Sequence, residues 1–133
     1  MAIIAHLIVG GAAKAMDFYT KAFGATEVMR MPAQDGQRLM HGHMKVGDSE
    51  LFLCDDFPEM CGGKSRDPLK MGGTSIVLHQ YVPSADEAIA KAAAAGATVS
   101  MPAQDMFWGD RYGQVVDPFG HTWSFAHKLG QGV

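Results

Sequence analysis

The sequence predicts an α+β fold built from two βαβββ modules within one domain. Three observations carry that prediction. First, the chain repeats itself: Gly24-Ala25-Thr26 returns as Gly96-Ala97-Thr98, and Met31-Pro32-Ala33-Gln34-Asp35 returns unchanged as Met101 to Asp105. Second, each copy follows a stretch of helical apolar spacing and precedes strand-like alternation, so the repeat marks equivalent places in two structural units of about 65–70 residues, longer than common solenoid repeats. Third, a chain of 133 residues with 47% hydrophobic and 19% charged residues has the length and composition of one soluble domain with its own core.

In order, residues 3–9 predict a first strand, closed by Gly10-Gly11. Ala12, Ala15, Met16, Tyr19 and Phe23 recur at helical spacing, predicting a helix over 12–23 with Gly24 at its left-handed C-terminal cap. Strands follow at 26–31, 39–46 and 51–54, with a loop over 32–37 and a turn at Gly47-Asp48-Ser49. The first module is placed at about 1–55. Residues 56–73 carry Pro58, Gly62, Gly63, Pro68, Gly72 and Gly73, and are expected to be a connection, either a mobile lid or one shaped by what it covers.

The second module is placed at about 74–128, with a strand at 74–80 and then Ser84-Ala85-Asp86-Glu87, which matches a capping box. The alanine-rich run 85–95 predicts a helix on intrinsic propensity, closed by Gly96. Strands at 97–101, 112–116 and 121–127 complete the unit, the last two joined by Pro118-Phe119-Gly120.

Composition also excludes functions. A net charge of −3 and a pI near 6.0 give no basic surface for nucleic acid. No apolar run reaches the length of a membrane span, and the apolar opening from Met1 to Val9 lacks a basic flank, so it reads as a strand and the expected location is cytoplasmic. Cys54 and Cys61 form neither a disulfide framework nor a zinc motif. There is no P-loop, dinucleotide fingerprint or Gly-x-Ser-x-Gly elbow.

Ala15-Met16-Asp17-Phe18-Tyr19-Thr20-Lys21-Ala22-Phe23-Gly24-Ala25 and Asp117-Pro118-Phe119-Gly120-His121 resemble signatures of the vicinal oxygen chelate superfamily, which holds glyoxalase I, bleomycin-resistance proteins and extradiol dioxygenases. Phe107-Trp108-Gly109-Asp110-Arg111-Tyr112-Gly113 is similar to its PhnB-like subgroup. The resemblance implies modules curving into a cleft with helices outside, a small-molecule ligand, and a homodimer, which the uncovered sheet edges also favour. It further implies a divalent metal at four positions, which fall here on Ile4, Phe52 or Leu53, Ser75 and Ser124. Aliphatic and aromatic side chains offer no lone pair and serine is a poor ligand, so the usual metal site is expected to be lost and no cofactor is predicted.

Two readings of the remaining chemistry stand side by side. His6 and His79 lie on strands and by alternation share the faces of Ile4 and Ser75. They are either a displaced metal site or acid/base pair of a divalent-metal-dependent lyase, isomerase or oxygenase, with Asp55 and Asp56 at the end of the fourth strand the nearest carboxylates to join them, or ligand-wall histidines without catalysis. Phe107, Trp108, Asp110, Arg111 and Tyr112 are either a ligand wall, with rings for an apolar body and Arg111 for an anionic group, or a core cover with an Asp110–Arg111 hairpin ion pair. His41 and His43 share one sheet face, which the sequence does not assign.

Overall fold

In a computed structural model describing residues 1–130, the chain forms eight strands and three α-helices, divided into two compact units with the boundary after Gly73. No helix of the described residues is long and apolar enough to cross a membrane.

The first unit contains β1 (Ala5–Val9), α1 (Ala12–Phe23), β2 (Thr26–Pro32), β3 (Leu39–Val46), β4 (Ser49–Asp55), a 3-10 turn (Pro58–Met60) and α2 (Pro68–Met71). Its sheet has the order β1-β4-β3-β2, with β1 parallel to β4 and the other pairs antiparallel. The second contains β5 (Val77–Tyr81), α3 (Ala85–Ala95), β6 (Thr98–Asp105), β7 (Asp110–Val116) and β8 (Thr122–Lys128), ordered β5-β8-β7-β6 with the same pattern of directions. The predicted pair of βαβββ modules is therefore present.

Each sheet buries one face under its helix. Met16 and Tyr19 of α1 are fully buried with Met44 and Leu53; Ile89 and Ala92 of α3 cover Val115, Trp123 and Phe125. Each sheet has a glycine beneath its helix where a Cβ would not fit. A Cβ on Gly42 would meet Met16 Sδ at 2.8 Å, and one on Gly113 would meet Ile89 Cδ1 at 2.4 Å and Met101 O at 2.8 Å.

Each helix is anchored by the strand paired with the one it follows. Gly11, at the N-cap of α1, has φ 103° and no side chain with which to cap. Asp55, closing β4, does it instead: Oδ1 accepts from the Gly11 and Ala12 amides at 2.8 and 3.0 Å, and Oδ2 from the Leu39 amide at 2.7 Å. A carboxylate is well placed at a helix N-terminus, where unpaired N–H groups and the dipole attract negative charge. In the second unit His127 Nδ1 accepts from the Ala85 amide at 2.8 Å, while Ser84 Oγ accepts from the Glu87 amide at 3.2 Å as its capping motif predicts.

Several element boundaries differ from those predicted. The strands β1 and β5 begin at Ala5 and Val77, where pairing with Leu51 and Thr122 begins, and the apolar residues before them (Ile3, Ile76) are exposed. The repeated pentapeptide adopts two structures. Its first copy leaves β2 at Pro32 and turns, because Gly36 follows with φ 70° and the Asp35 carboxylate accepts from the Gln37 and Arg38 amides. Its second copy continues as strand to Asp105, with Met106 in place of the glycine. Both prolines lie on edge strands at register shifts, where a missing N–H breaks no ladder.

The connection 56–73 carries short helices and is pinned. Ser65 Oγ donates to Asp56 Oδ2 at 2.5 Å, the Arg66 amide to Asp56 Oδ1 at 3.1 Å, and the Leu69 amide to Asp67 Oδ1 at 3.0 Å. Asp67 is buried against Gly10, where even a Cβ would come within 2.6 Å of Oδ2.

Candidate functional site

Strand alternation assigns the faces. Gly113, Val115, Trp123 and Phe125 face α3, so Tyr112, Gln114, Ser124 and, through the register of β5 with β8, His79 and Tyr81 share the helix-free face of the second sheet. His79 Nδ1 and Ser124 Oγ share a hydrogen bond of 2.7 Å. The imidazole stacks on Tyr112 (centroids 5.8 Å apart, planes at 22°) and stands edge-on to Tyr81 at 4.9 Å. Trp108, from the β6–β7 turn, meets Tyr112 at 5.8 Å. Gln114 Nε2 donates to the Tyr112 hydroxyl at 3.0 Å.

Asp110 is the buried post of this wall, 4% exposed. Its Oδ2 accepts from the Tyr81 hydroxyl at 2.9 Å and from Trp108 Nε1 at 3.1 Å, which fixes both ring planes. The hydrogen bond to Asp110 raises the Tyr81 pKa, so the phenol remains a donor. Tyr81 and Trp108 are about half exposed (54% and 49%), so their rings are open to a ligand.

Of the residues expected in this wall, Arg111 is elsewhere and Phe107 only extends its rim. Arg111 lies on the opposite face, donating to Asp86 of α3 at 2.6 and 2.9 Å and to Asp105 at 3.0 Å. These carboxylates, not Asp110, are its partners, and they occupy the guanidinium that was to hold an anionic group. Phe107, 97% exposed at the turn tip, touches Trp108 edge-on at 5.1 Å. Tyr81 and Gln114 were not singled out in the sequence, although alternation from His79 and Tyr112 was signal enough.

On the helix-free face of the first sheet, His6 and His43 both lie opposite Phe52. The His41 and His43 rings stand edge-on to Phe52 at 4.7 and 4.9 Å, and His6 at 6.1 Å. His43 Nε2 and Glu50 Oε2 are 2.8 Å apart. Burial first, then the nearby His41 and Arg66, lowers the pKa of His6, so its imidazole favours the neutral form. The open question about His41 and His43 is thereby answered: they share the face of His6.

The same registers test the donors for a metal. Phe52, not Leu53, shares the face of His6; Leu53 is fully buried beneath α1. Ile4 and Ser75 lie outside the strands, and the strand neighbours across from Phe52 and Ser124 are His6 and His79. Asp55, the expected third donor, has both oxygens engaged by backbone amides and is a structural latch. Among the described residues no group of three or more His, Cys, Asp or Glu side chains is arranged to hold a metal ion.

A sequence model of the glyoxalase/bleomycin resistance protein/dioxygenase superfamily matches residues 3–125. The chain belongs to this superfamily. Within it, the chain is 48% identical over 132 residues to the uncharacterized protein Mb0911c of Mycobacterium bovis, covering 99% of this chain and 84% of that protein. Among solved structures, TioX from Micromonospora sp. ML1 superposes with a TM-score of 0.72 at 27% identity, covering 97% of this chain and 99% of that one. A putative 3-demethylubiquinone-9 3-methyltransferase, PhnB protein, from Bacillus cereus shares the superfamily fold, with a TM-score of 0.68 at 16% identity over 96% of this chain and 99% of that one.

Proposed function

We propose that this superfamily member is a PhnB-like protein that binds a small organic molecule on the helix-free face of its second module, without the divalent metal of its metal-dependent relatives. The observation that carries the reading is the wall itself: His79, Tyr81, Trp108 and Tyr112 gathered on one open face and fixed from behind by a buried carboxylate. Rings held in fixed planes offer stacking area at little entropic cost on binding, and the Gln114 and Tyr112 polar groups supply orientation. Loss of the metal is supported by Phe52 beside His6, which has no lone pair to donate, and by Ser124 beside His79, whose hydroxyl is a poor ligand. Exposed Val28, Met29 and Met31 on edge strand β2 and Val77 on edge strand β5 support a homodimer, which light scattering tests.

The test uses the two tryptophans. Trp108 is half exposed on the wall, whereas Trp123 is 4% exposed and donates to Asp117, so a ligand on this face quenches Trp108 alone. A library of planar heteroaromatic compounds titrated against the protein is expected to yield saturable quenching that Trp108→Phe removes. A library that leaves Trp108 unperturbed refutes the binding face. Elemental analysis of protein purified without chelator decides the metal question separately; one tightly bound ion per chain overturns the metal-free reading.

A further inference from the structure

The two oxygens of Asp110 differ. While Oδ2 accepts from Tyr81 and Trp108, Oδ1 is buried and has no hydrogen-bond donor among the described residues. The Lys128 ammonium stops 4.0 Å from Oδ1, beyond hydrogen-bond length, and rests 5.1 Å from the centre of the Tyr81 ring. Its side chain is 67% exposed, so a flexible and strongly hydrated group is loosely seated between a carboxylate and an aromatic face. Carboxylate charge and ring quadrupole are the two attractions by which organic cations are recognised, the cation standing within about 6 Å of a ring centroid.

We propose that the corner formed by Tyr81, Trp108 and Asp110 is a seat for a substituted ammonium group, and that Lys128 is its resident stand-in, displaced when such a cation binds. This rests on the reading of the face as a ligand wall and names the chemical class of what it takes. A methylated ammonium suits the seat better than lysine does. It has little hydration to lose, it needs no acceptor at hydrogen-bond distance, and its methyl groups pack against the Tyr81 ring on which Lys128 rests. Tyr81 keeps its proton and gives it to Oδ2 as a hydrogen bond, which leaves the single negative charge of Asp110 for the cation. Binding is an exchange of one cation for another, and no covalent step is involved.

The experiment compares 3-hydroxyphenyl-trimethylammonium with its neutral isostere 3-tert-butylphenol, by NMR titration of the Trp108 indole N–H in the full chain. The cation is expected to bind at least tenfold more tightly than the isostere. Lys128→Ala should tighten the cation by about threefold to tenfold, the factor by which a competitor occupying the seat about 70–90% of the time weakens apparent affinity. Asp110→Asn, whose amide oxygen can still accept from Tyr81 and Trp108, should remove the preference for the cation while preserving the weaker binding of the phenol. Equal binding of the two probes overturns the cation seat and leaves the stacking wall standing. Cation binding that is unchanged in Lys128→Ala overturns the stand-in role. No response to either probe, in wild type or Lys128→Ala, also overturns the seat, while the heteroaromatic titration decides the wall independently.

Discussion

Replacing Asp55 with alanine removes the acceptor for three backbone amides at once: Gly11 and Ala12 at the start of α1, and Leu39 at the start of β3. Asp55 is 5% exposed, so water does not readily take its place. An unsatisfied buried donor costs about 1–3 kcal/mol. The Gly11 amide is only partly buried and recovers some solvation. The sum for Asp55→Ala is about 3–5 kcal/mol, against a total stability of about 5–15 kcal/mol for a domain. At about 4 °C per kcal/mol, the melting temperature should fall by roughly 10–20 °C. Asp55→Asn, which retains one acceptor oxygen but turns an NH2 group toward a donor, should lose about 1–3 kcal/mol. Urea titration followed by far-UV circular dichroism measures both, and hydrogen exchange at Ala12 and Leu39 localises the loss. A change under about 0.5 kcal/mol in Asp55→Ala, typical of an inconsequential surface site, would refute the latch and reopen a ligand role for this carboxylate.

Further outcomes are expected. Gly113→Ala forces a Cβ against the Met101 and Ala103 backbone as well as Ile89, and should cost about 1–3 kcal/mol. At Gly42 the tightest contact is the flexible tip of Met16, so Gly42→Ala should cost measurably less in the same urea titration; equal costs would contradict the contact geometry. Burial opposes ionisation of Asp56, but donation from Ser65 and the Arg66 amide outweighs it and lowers the pKa. Its folded pKa thus lies below the unfolded value of about 4, so Asp56 stabilises the fold above that value, and this contribution is lost as pH falls through the folded pKa. Ser65→Ala should therefore destabilise the protein more at pH 7 than at pH 3, and a pH-independent difference would remove the Asp56 tie. His127→Ala, which deprives the Ala85 amide of its acceptor, should lose about 0.5–2 kcal/mol.

How far the sequence could be read depended on whether a signal was local. The α1 helix runs from Ala12 to Phe23 and α3 from Ala85 to Ala95 as predicted, because apolar spacing, alanine propensity and a following glycine all act within one turn. The extent of β6 was underestimated because Pro102 looks like a stop, and only the sheet order shows that it lies on an edge. In the candidate site, the 107–112 stretch did supply Trp108, Asp110 and Tyr112 to one cluster, whereas alternation set His79 beside Ser75, which lies before β5, and only the β5–β8 register brings His79 to Ser124. Arg111 could not be assigned in advance, because its partner Asp86 lies 25 residues away on a helix. Nor could Asp55, whose amide partners lie 16, 43 and 44 residues earlier in the chain.

The position of Asp55 also sets an order of events during synthesis. Every strand of the first sheet has been synthesised once this residue is made, and its pairings close within residues 5–55. Domains and their parts fold as their chain emerges, and pairings close in sequence form fastest. The N-terminal half should thus hold α1 and β3 in place before the second sheet is complete. The residue that completes the first sheet is the residue that locks its helix.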